Sequence, residues 1–336
     1  MSQVVSDSRR TDSAIHVEVR EPRLAGFAWT TLGLNVAVIL WGAYVRATGS
    51  GAGCGNHWPL CNGDVLPKAA QVQTMIEFTH RVSSGLAFIS VLALCVWCWR
   101  RTSRREAARL TSAVALGFMI NEALLGALLV KLHHVAQDTS IARAVFLSMH
   151  FANTLLLLAC VAVTAYLLSQ GPRKSVVVAR AGEKIMIGAG LLAAMVMGIT
   201  GSLAALGDTL FPASSLRSAL KQDFSSSSYY LVRLRWMHPL AAIIGGLYIL
   251  WLIRKSFSGR IGSRLPVLVT TLLLVQVGLG IVNVLLLAPV WLQIVHLCVA
   301  DMFWISLVLA SADVLLGDAG VHRFTIEVPA EQPASC

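Results

Sequence analysis

The sequence predicts an all-α integral membrane protein of eight transmembrane helices, arranged as two tandem four-helix bundles in parallel repeat. Three observations predict it: an apolar composition, eight apolar stretches long enough to span a bilayer, and features that recur between the two halves. Of 336 residues, 56% are hydrophobic and 13% charged, and the mean hydropathy is +0.70, far from the values of a water-soluble domain. A helix needs about 20 apolar residues to cross a hydrocarbon core of roughly 30 Å. Stretches of that length lie near 27–46, 78–99, 107–130, 145–168, 184–205, 235–254, 265–287 and 290–313.

The formal net charge is +10. The basic residues sit in short blocks between apolar spans rather than on one soluble face, which argues against a nucleic-acid partner and leaves lipid as the surrounding phase. Arg100, Arg101, Arg104, Arg105, Arg173, Lys174, Arg254 and Lys255 all fall in connections on one side of the membrane. By the positive-inside rule that side is the cytoplasm, with both termini on it and a bacterial cytoplasmic (inner) membrane as the location. Residues 1–25 are polar and lead into a span too long for a signal-peptide core, so no cleavable signal is expected. The expected division is a tail (1–25), a first half (26–170), a linker (171–183), a second half (184–313) and a second tail (314–336).

Internal similarity supports the two halves, because several features recur about 150 residues apart. Thr48-Gly49-Ser50 matches Thr200-Gly201-Ser202, and Glu122 with Gly126 matches Gln276 with Gly280. His80 opens the second span as His238 opens the sixth, and His150 opens the fourth as His296 opens the eighth. An even number of spans per half gives both halves the same orientation, which makes the repeat parallel.

An ionisable side chain inside a bilayer is costly and is a functional candidate for that reason. Four such histidines, one on each even-numbered span, point to metal or cofactor ligation rather than to packing. Neutral imidazole suits zinc, copper and iron; a site of two histidines without a Cys or carboxylate cluster suits haem, whose macrocycle supplies the remaining nitrogens. The expected pairs are His80 with His150 and His238 with His296, each clamping one ring across a four-helix bundle. All four lie towards the outer leaflet, so the rings sit side by side rather than stacked across the membrane. His57, His133 and His134 in outer loops, and His16 and His322 in the tails, read as solvated surface histidines.

Cys54 and Cys61 share one outer loop in a disulfide-permissive compartment, and a bridge between them is expected; thiols that relay reducing equivalents remain the alternative. Residues 206–234 contain no cysteine, which excludes a role needing four outer cysteines. Cys95 and Cys98 lie inside a span, away from the helix N-terminus that activates a redox C-x-x-C, and read as packing residues. The loop from Gly207 to Arg233, with its polar run Ser225 to Ser228, reads either as a cover over the second haem site or as a connector.

At these residues the sequence resembles the haem A synthases, over roughly Ala25 to Asp313. The resemblance is carried by Gly42-Ala43-Tyr44-Val45-Arg46-Ala47-Thr48-Gly49-Ser50-Gly51, by Cys54 through Trp58-Pro59-Leu60-Cys61, by Glu77-Phe78-Thr79-His80-Arg81, and by the three other span histidines. It implies a membrane oxidoreductase that converts a ring methyl group of haem O to the formyl group of haem A for cytochrome oxidase assembly. One half would receive haem O as substrate and the other would retain haem b as cofactor. Haem O synthase and cytochrome oxidase assembly factors are the partners it suggests, and a homo-oligomer stays open.

The chain's own asymmetry assigns the halves. Glu77 lies three residues before His80, whereas Arg235 holds the equivalent place before His238. A carboxylate on the helix face of His80 makes the first half the substrate site, with Glu77 as the catalytic candidate, either accepting protons or stabilising positive charge. Its alternative role is charge partner of Arg81 or Arg46. Arg46, Arg81, Arg233 and Arg235 lie where anionic haem propionates would emerge. Two further functions compete with the synthase: a di-haem b electron-transfer subunit and a haem transporter or chaperone.

Overall fold

The computed structural model describes residues 21–68, 71–102, 107–170, 179–257 and 264–316. Arg104, Arg105, Arg173, Lys174, His16, His322 and most of the expected tails and linker lie outside the described residues. Ten α-helices are described: α1 (Pro22–Ala47), α2 (Val72–Arg101), α3 (Ala107–Lys131), α4 (Ile141–Gln170), α5 (Ala181–Leu210), α6 (Leu216–Phe224), α7 (Tyr230–Arg233), α8 (Met237–Leu252), α9 (Leu265–Leu285) and α10 (Val290–Leu316). A 3₁₀ turn (Ser50–Ala52) follows α1, and a π turn (Ile253–Phe257) extends α8. Among the described residues there is no strand, and eight helical segments are long and apolar enough to cross a membrane, one of them Tyr230–Phe257.

All eight expected spans are present, and several begin earlier than hydropathy alone places them. α2 starts at Val72 and α4 at Ile141. Each has an amphiphilic first stretch whose polar side chains are used inside the protein. His80 and His150 consequently sit roughly two turns into their helices rather than at the start.

Local chemistry sets the helix ends. Pro22 opens α1 at a position where its missing N–H loses nothing. At the other end Gly49 turns left-handed (φ 66°), and the Thr48 hydroxyl donates to the Tyr44 carbonyl at 2.8 Å. Thr200-Gly201-Ser202 does not end α5 in this way: the Thr200 hydroxyl donates back to Val196 at 2.8 Å and the helix runs on to Leu210. The two tripeptides therefore occupy different structural places.

The helices pack in two closed rings. α1, α2, α3 and α4 pack each on the next, with α4 returning to α1; α5, α8, α9 and α10 do the same, with α10 returning to α5. α1, α4, α5 and α10 join the rings. At this seam the core is densest, with Leu158, Val161, Ile187 and Leu307 fully buried, and the Trp304 indole donates to the Leu155 carbonyl at 2.8 Å. Since lipid is as apolar as leucine, such packing and inter-helix hydrogen bonds, rather than apolar burial, hold the spans together.

Candidate functional site

The four span histidines fall on opposite helices of the two rings. α2 and α4 each pack on α1 and α3, and α8 and α10 each on α5 and α9. His80 and His150 therefore stand on opposite helices of the first ring, and His238 faces His296 across the second. The His238 and His296 ring centroids are 6.3 Å apart with their planes at 88°. Two metal–imidazole bonds of about 2 Å across a shared metal put the centroids roughly 6 Å apart.

Glycine makes room for His80 and His238. A Cβ on Gly42 of α1 would lie 2.9 Å from His80 Cε1, and one on Gly201 of α5 would lie 2.9 Å from His238 Cε1. On the opposite walls, Gly126 of α3 and Gly280 of α9 approach His150 and His296, with notional Cβ distances of 3.8 and 3.4 Å. The equivalent of Gly201 is thus Gly42, two turns before Gly49, which corrects the repeat register expected from the Thr-Gly-Ser tripeptides.

The ring nitrogens have unequal surroundings. His238 Nδ1 donates to the Met197 carbonyl at 3.1 Å, which leaves Nε2 with its lone pair free for a metal. Nδ1 of His80, His150 and His296 is buried without a hydrogen-bond partner among the described residues. Glu122 Oε1 lies 3.5 Å from His150 Nδ1, and the Gln276 amide nitrogen lies 3.2 Å from His296 Nε2. Among the described residues no group of three or more His, Cys, Asp and Glu is placed to hold a bare metal ion.

Both rings are closed at the same end by polar networks. In the first, Glu77 is buried at 3% exposure; its Oε1 pairs with Arg81 at 2.5 Å, and its Oε2 accepts the Cys54 N–H at 2.8 Å. Arg81 also donates to the carbonyls of His57 and Leu60, which fastens the whole loop onto α2. Cys54 and Cys61 form a disulfide inside that loop, both sulfurs buried. A groove of about 310 Å³ runs between this loop and α2, lined by Leu60, Leu66, Phe78, Arg81 and Val82 among others.

In the second ring Arg235 plays the fastening role. It donates to Asp208 and Asp223, both at 2.9 Å, and to Gln222 at 3.3 Å. These contacts pin α6 beside the helix that carries His238. The segment from Gly207 to Arg233 is accordingly structured, with a bonded turn at Ser225–Ser228 and the Tyr229 and Tyr230 hydroxyls donating to Thr139 of the other ring. Arg46 also crosses between the rings, donating to Ala205 at 2.7 Å, Thr209 at 2.9 Å and Gln293 at 3.1 Å. Arg233 is exposed.

Comparison with known proteins decides the kinship. Residues 25–308 match the family model COX15-CtaA, described as a cytochrome oxidase assembly protein. The chain belongs to this family. A heme A synthase of an Exiguobacterium species is 30% identical over 259 residues, which cover 77% of this chain and 82% of that relative. A protoheme IX farnesyltransferase of Thermus thermophilus is 50% identical over 230 residues, 68% of this chain; the match spans only 38% of that longer relative. A heme A synthase of Lysinibacillus sphaericus is 42% identical over 97 residues, which are 29% of this chain and 31% of that relative. With eight apolar spans, this member of the COX15-CtaA family is a multi-pass membrane protein.

Among the histidines outside the spans, His57 and His133 are exposed, as their loop positions predict, but His134 is not simply solvated. Its Nδ1 pairs with Asp138 at 2.8 Å and its ring stacks on Phe146. Cys95 and Cys98 are buried on α2 among core side chains. Sequence reasoning used Glu122 and Gln276 only as markers of the repeat and missed that they stand beside histidines. The signal was available: Glu122 and Gly126, like Gln276 and Gly280, lie four apart on one helix face, and the glycine of each pair lies within 4 Å of a histidine.

Proposed function

We propose that this chain is a haem A synthase: it oxidises a methyl group of haem O to a formyl group, with haem O held between His80 and His150 and haem b between His238 and His296. The histidine pairs on opposite helices carry the proposal, above all His238 and His296 at 6.3 Å with Gly201 clearing space beside the His238 ring. The residues present fit a haem. Two imidazoles per site on opposite helices, and glycines that let a helix backbone approach, match a macrocycle that would bring its own four nitrogens. Haem b would supply one-electron redox chemistry when bound.

The relatives support the substrate. One is a heme A synthase matched over most of both chains, and another is a protoheme IX farnesyltransferase, most of which lies outside the match. An enzyme acting on a farnesylated haem belongs directly after one that attaches the farnesyl group, and a haem O synthase is the natural partner. The reading also places the Cys54–Cys61 end outside, where disulfides persist, and the basic connections in the cytoplasm. The two closed helix rings support a first half at 26–170 and a second at 184–313 as separate haem-binding units.

Converting methyl to formyl replaces carbon-bound hydrogen with oxygen and releases protons and electrons. Glu77 is the charged group on the His80 face of α2, and both its oxygens are already occupied, by Arg81 and by Cys54 N–H. A carboxylate so held acts as a fixed negative charge, stabilising positive charge that develops at the substrate, rather than as a mobile proton carrier. Arg81 is the counter-ion that holds Glu77 in place, with its other donors turned to the loop carbonyls.

The test is to purify the chain from cells that make haem O and identify the extracted haems by mass. Haem b together with haem O, a hydroxylated intermediate or haem A is expected. Haem b alone, in both sites, would make the protein an electron carrier.

A further inference from the structure

The first-half histidine on α4 faces a carboxylate that has nowhere else to go. Glu122 is held from both sides of its carboxyl group: Asn153 donates to Oε2 at 2.5 Å and the Thr154 hydroxyl donates to Oε1. Asn153 is itself fixed, since its amide also donates to the Phe118 carbonyl at 2.9 Å and its oxygen accepts from Asn121 at 2.7 Å. His150 lies on the same face of α4, one turn before Thr154, and its buried Nδ1 stands 3.5 Å from Glu122 Oε1 with no hydrogen-bond partner among the described residues. At that distance the bond is not closed. When Nε2 ligates a metal, however, Nδ1 must carry the proton, and the clamped carboxylate is the acceptor it faces.

The second ring has no such anion. Gln276 precedes Gly280 by four residues as Glu122 precedes Gly126, but its amide nitrogen stands 3.2 Å from His296 Nε2, and His296 Nδ1 has no partner among the described residues. One imidazole is therefore faced at Nδ1 by a carboxylate and its counterpart is not.

We infer that Glu122 is the positioning residue of His150, an anionic hydrogen-bond acceptor that orients its imidazole and enriches it in electrons, so that the two haem sites have unequal redox potentials. The inference deepens the haem reading above and rests on it. An acceptor carrying full negative charge at Nδ1 makes a ligating imidazole a stronger donor and stabilises the oxidised metal; an imidazole without such an acceptor gains no such donor strength. The first-half iron is thereby the easier of the two to oxidise.

The experiment uses the full chain in detergent, saturated with haemin and followed by optical redox titration. His150→Ala and His296→Ala assign the components, each deleting one low-spin signal. Glu122→Gln should keep both signals and raise the midpoint of the His150 component by the equivalent of about tenfold in the oxidised-to-reduced ratio, or about 59 mV for one electron. Glu122→Asp, which draws the carboxylate back from Nδ1, should raise that midpoint by less. An unmoved His150 midpoint in Glu122→Gln overturns the inference, and if that variant does not accumulate, an unmoved His150 midpoint in Glu122→Asp overturns it instead. Retention of both signals in His150→Ala overturns the haem reading and this inference together, whereas an unmoved midpoint overturns the inference alone.

Discussion

The backbone N–H of Cys54 donates to Glu77 Oε2 at 2.8 Å, so the disulfide loop is bonded directly to the carboxylate one helical turn from His80. Glu77→Gln keeps the shape of the side chain and removes its charge. If that charge acts on the substrate, the variant retains haem b and still loads haem O, yet forms haem A roughly a hundredfold to ten-thousandfold more slowly. Haem composition in cells expressing wild type, Glu77→Gln and Arg235→Gln measures this. Normal haem A from Glu77→Gln would reduce the carboxylate to a clasp for the loop.

Gly201 is the place where a single methyl group should disrupt the second site. A Cβ there lies 2.9 Å from His238 Cε1 and 3.2 Å from Nδ1, the nitrogen bonded to Met197. Gly201→Ala must push the ring off its carbonyl, and overpacking of this kind costs about 1–3 kcal/mol. The expected result is reduced low-spin haem in the purified protein, with Gly117→Ala unaffected because nothing lies within 4 Å of that position. Equal haem content in the two variants would show that the glycine is not a seat for the ligand.

The spans and the histidines were legible for the same physical reason. Lipid imposes a minimum length on every apolar stretch and a penalty on every polar group within it, so both stand out in a linear sequence. What remained hidden depends on which side chains meet across helices. Arg46 and Arg235 occupy the expected ends of their helices, but Arg46 bonds to residues more than a hundred and fifty positions away, and nothing local marks Ala205, Thr209 or Gln293 as its acceptors. The helix Leu216–Phe224 was hidden too, being short, polar and held by Arg235 more than by any apolar run. The Thr-Gly-Ser match misled because a glycine ending α1 and a glycine seating a histidine are the same letter.

The connection between α3 and α4 should be sensitive to acid. Burial pushes the Asp138 carboxyl up, but hydrogen bonds from the Ser140 N–H, His134 and the Ser140 hydroxyl outweigh it and leave the group below its ordinary value of 3.8. A carboxylate held below its unfolded value contributes stability above that value and loses it as the pH falls through the folded one. Amide exchange at Ser140 and Arg143 should therefore quicken only once the pH drops below about 4. Asp138→Asn should show the quick exchange at every pH; slow exchange in that variant at neutral pH would show that the loop does not depend on the charge.

Arg46 belongs to the first ring yet spends its donors on the second, and this makes it the best single test of how the two rings are joined. Nη1 serves the Ala205 carbonyl and the Thr209 hydroxyl on α5, and Nη2 serves Gln293 on α10, three residues before His296. Hydrogen bonds from a charged donor contribute about 1.5–3 kcal/mol each when their acceptors cannot turn to water. Arg46→Lys keeps the charge but has no planar fork with which to reach both helices. Both Arg46→Lys and Arg46→Ala should lower the thermal stability of the detergent-solubilised protein, and both should loosen the His296 haem more than the His80 haem although the mutated side chain hangs from α1. Selective loss of the first-ring haem would reverse that picture, assigning Arg46 to the ligand of its own ring and leaving the seam to the apolar contacts of α4 and α10.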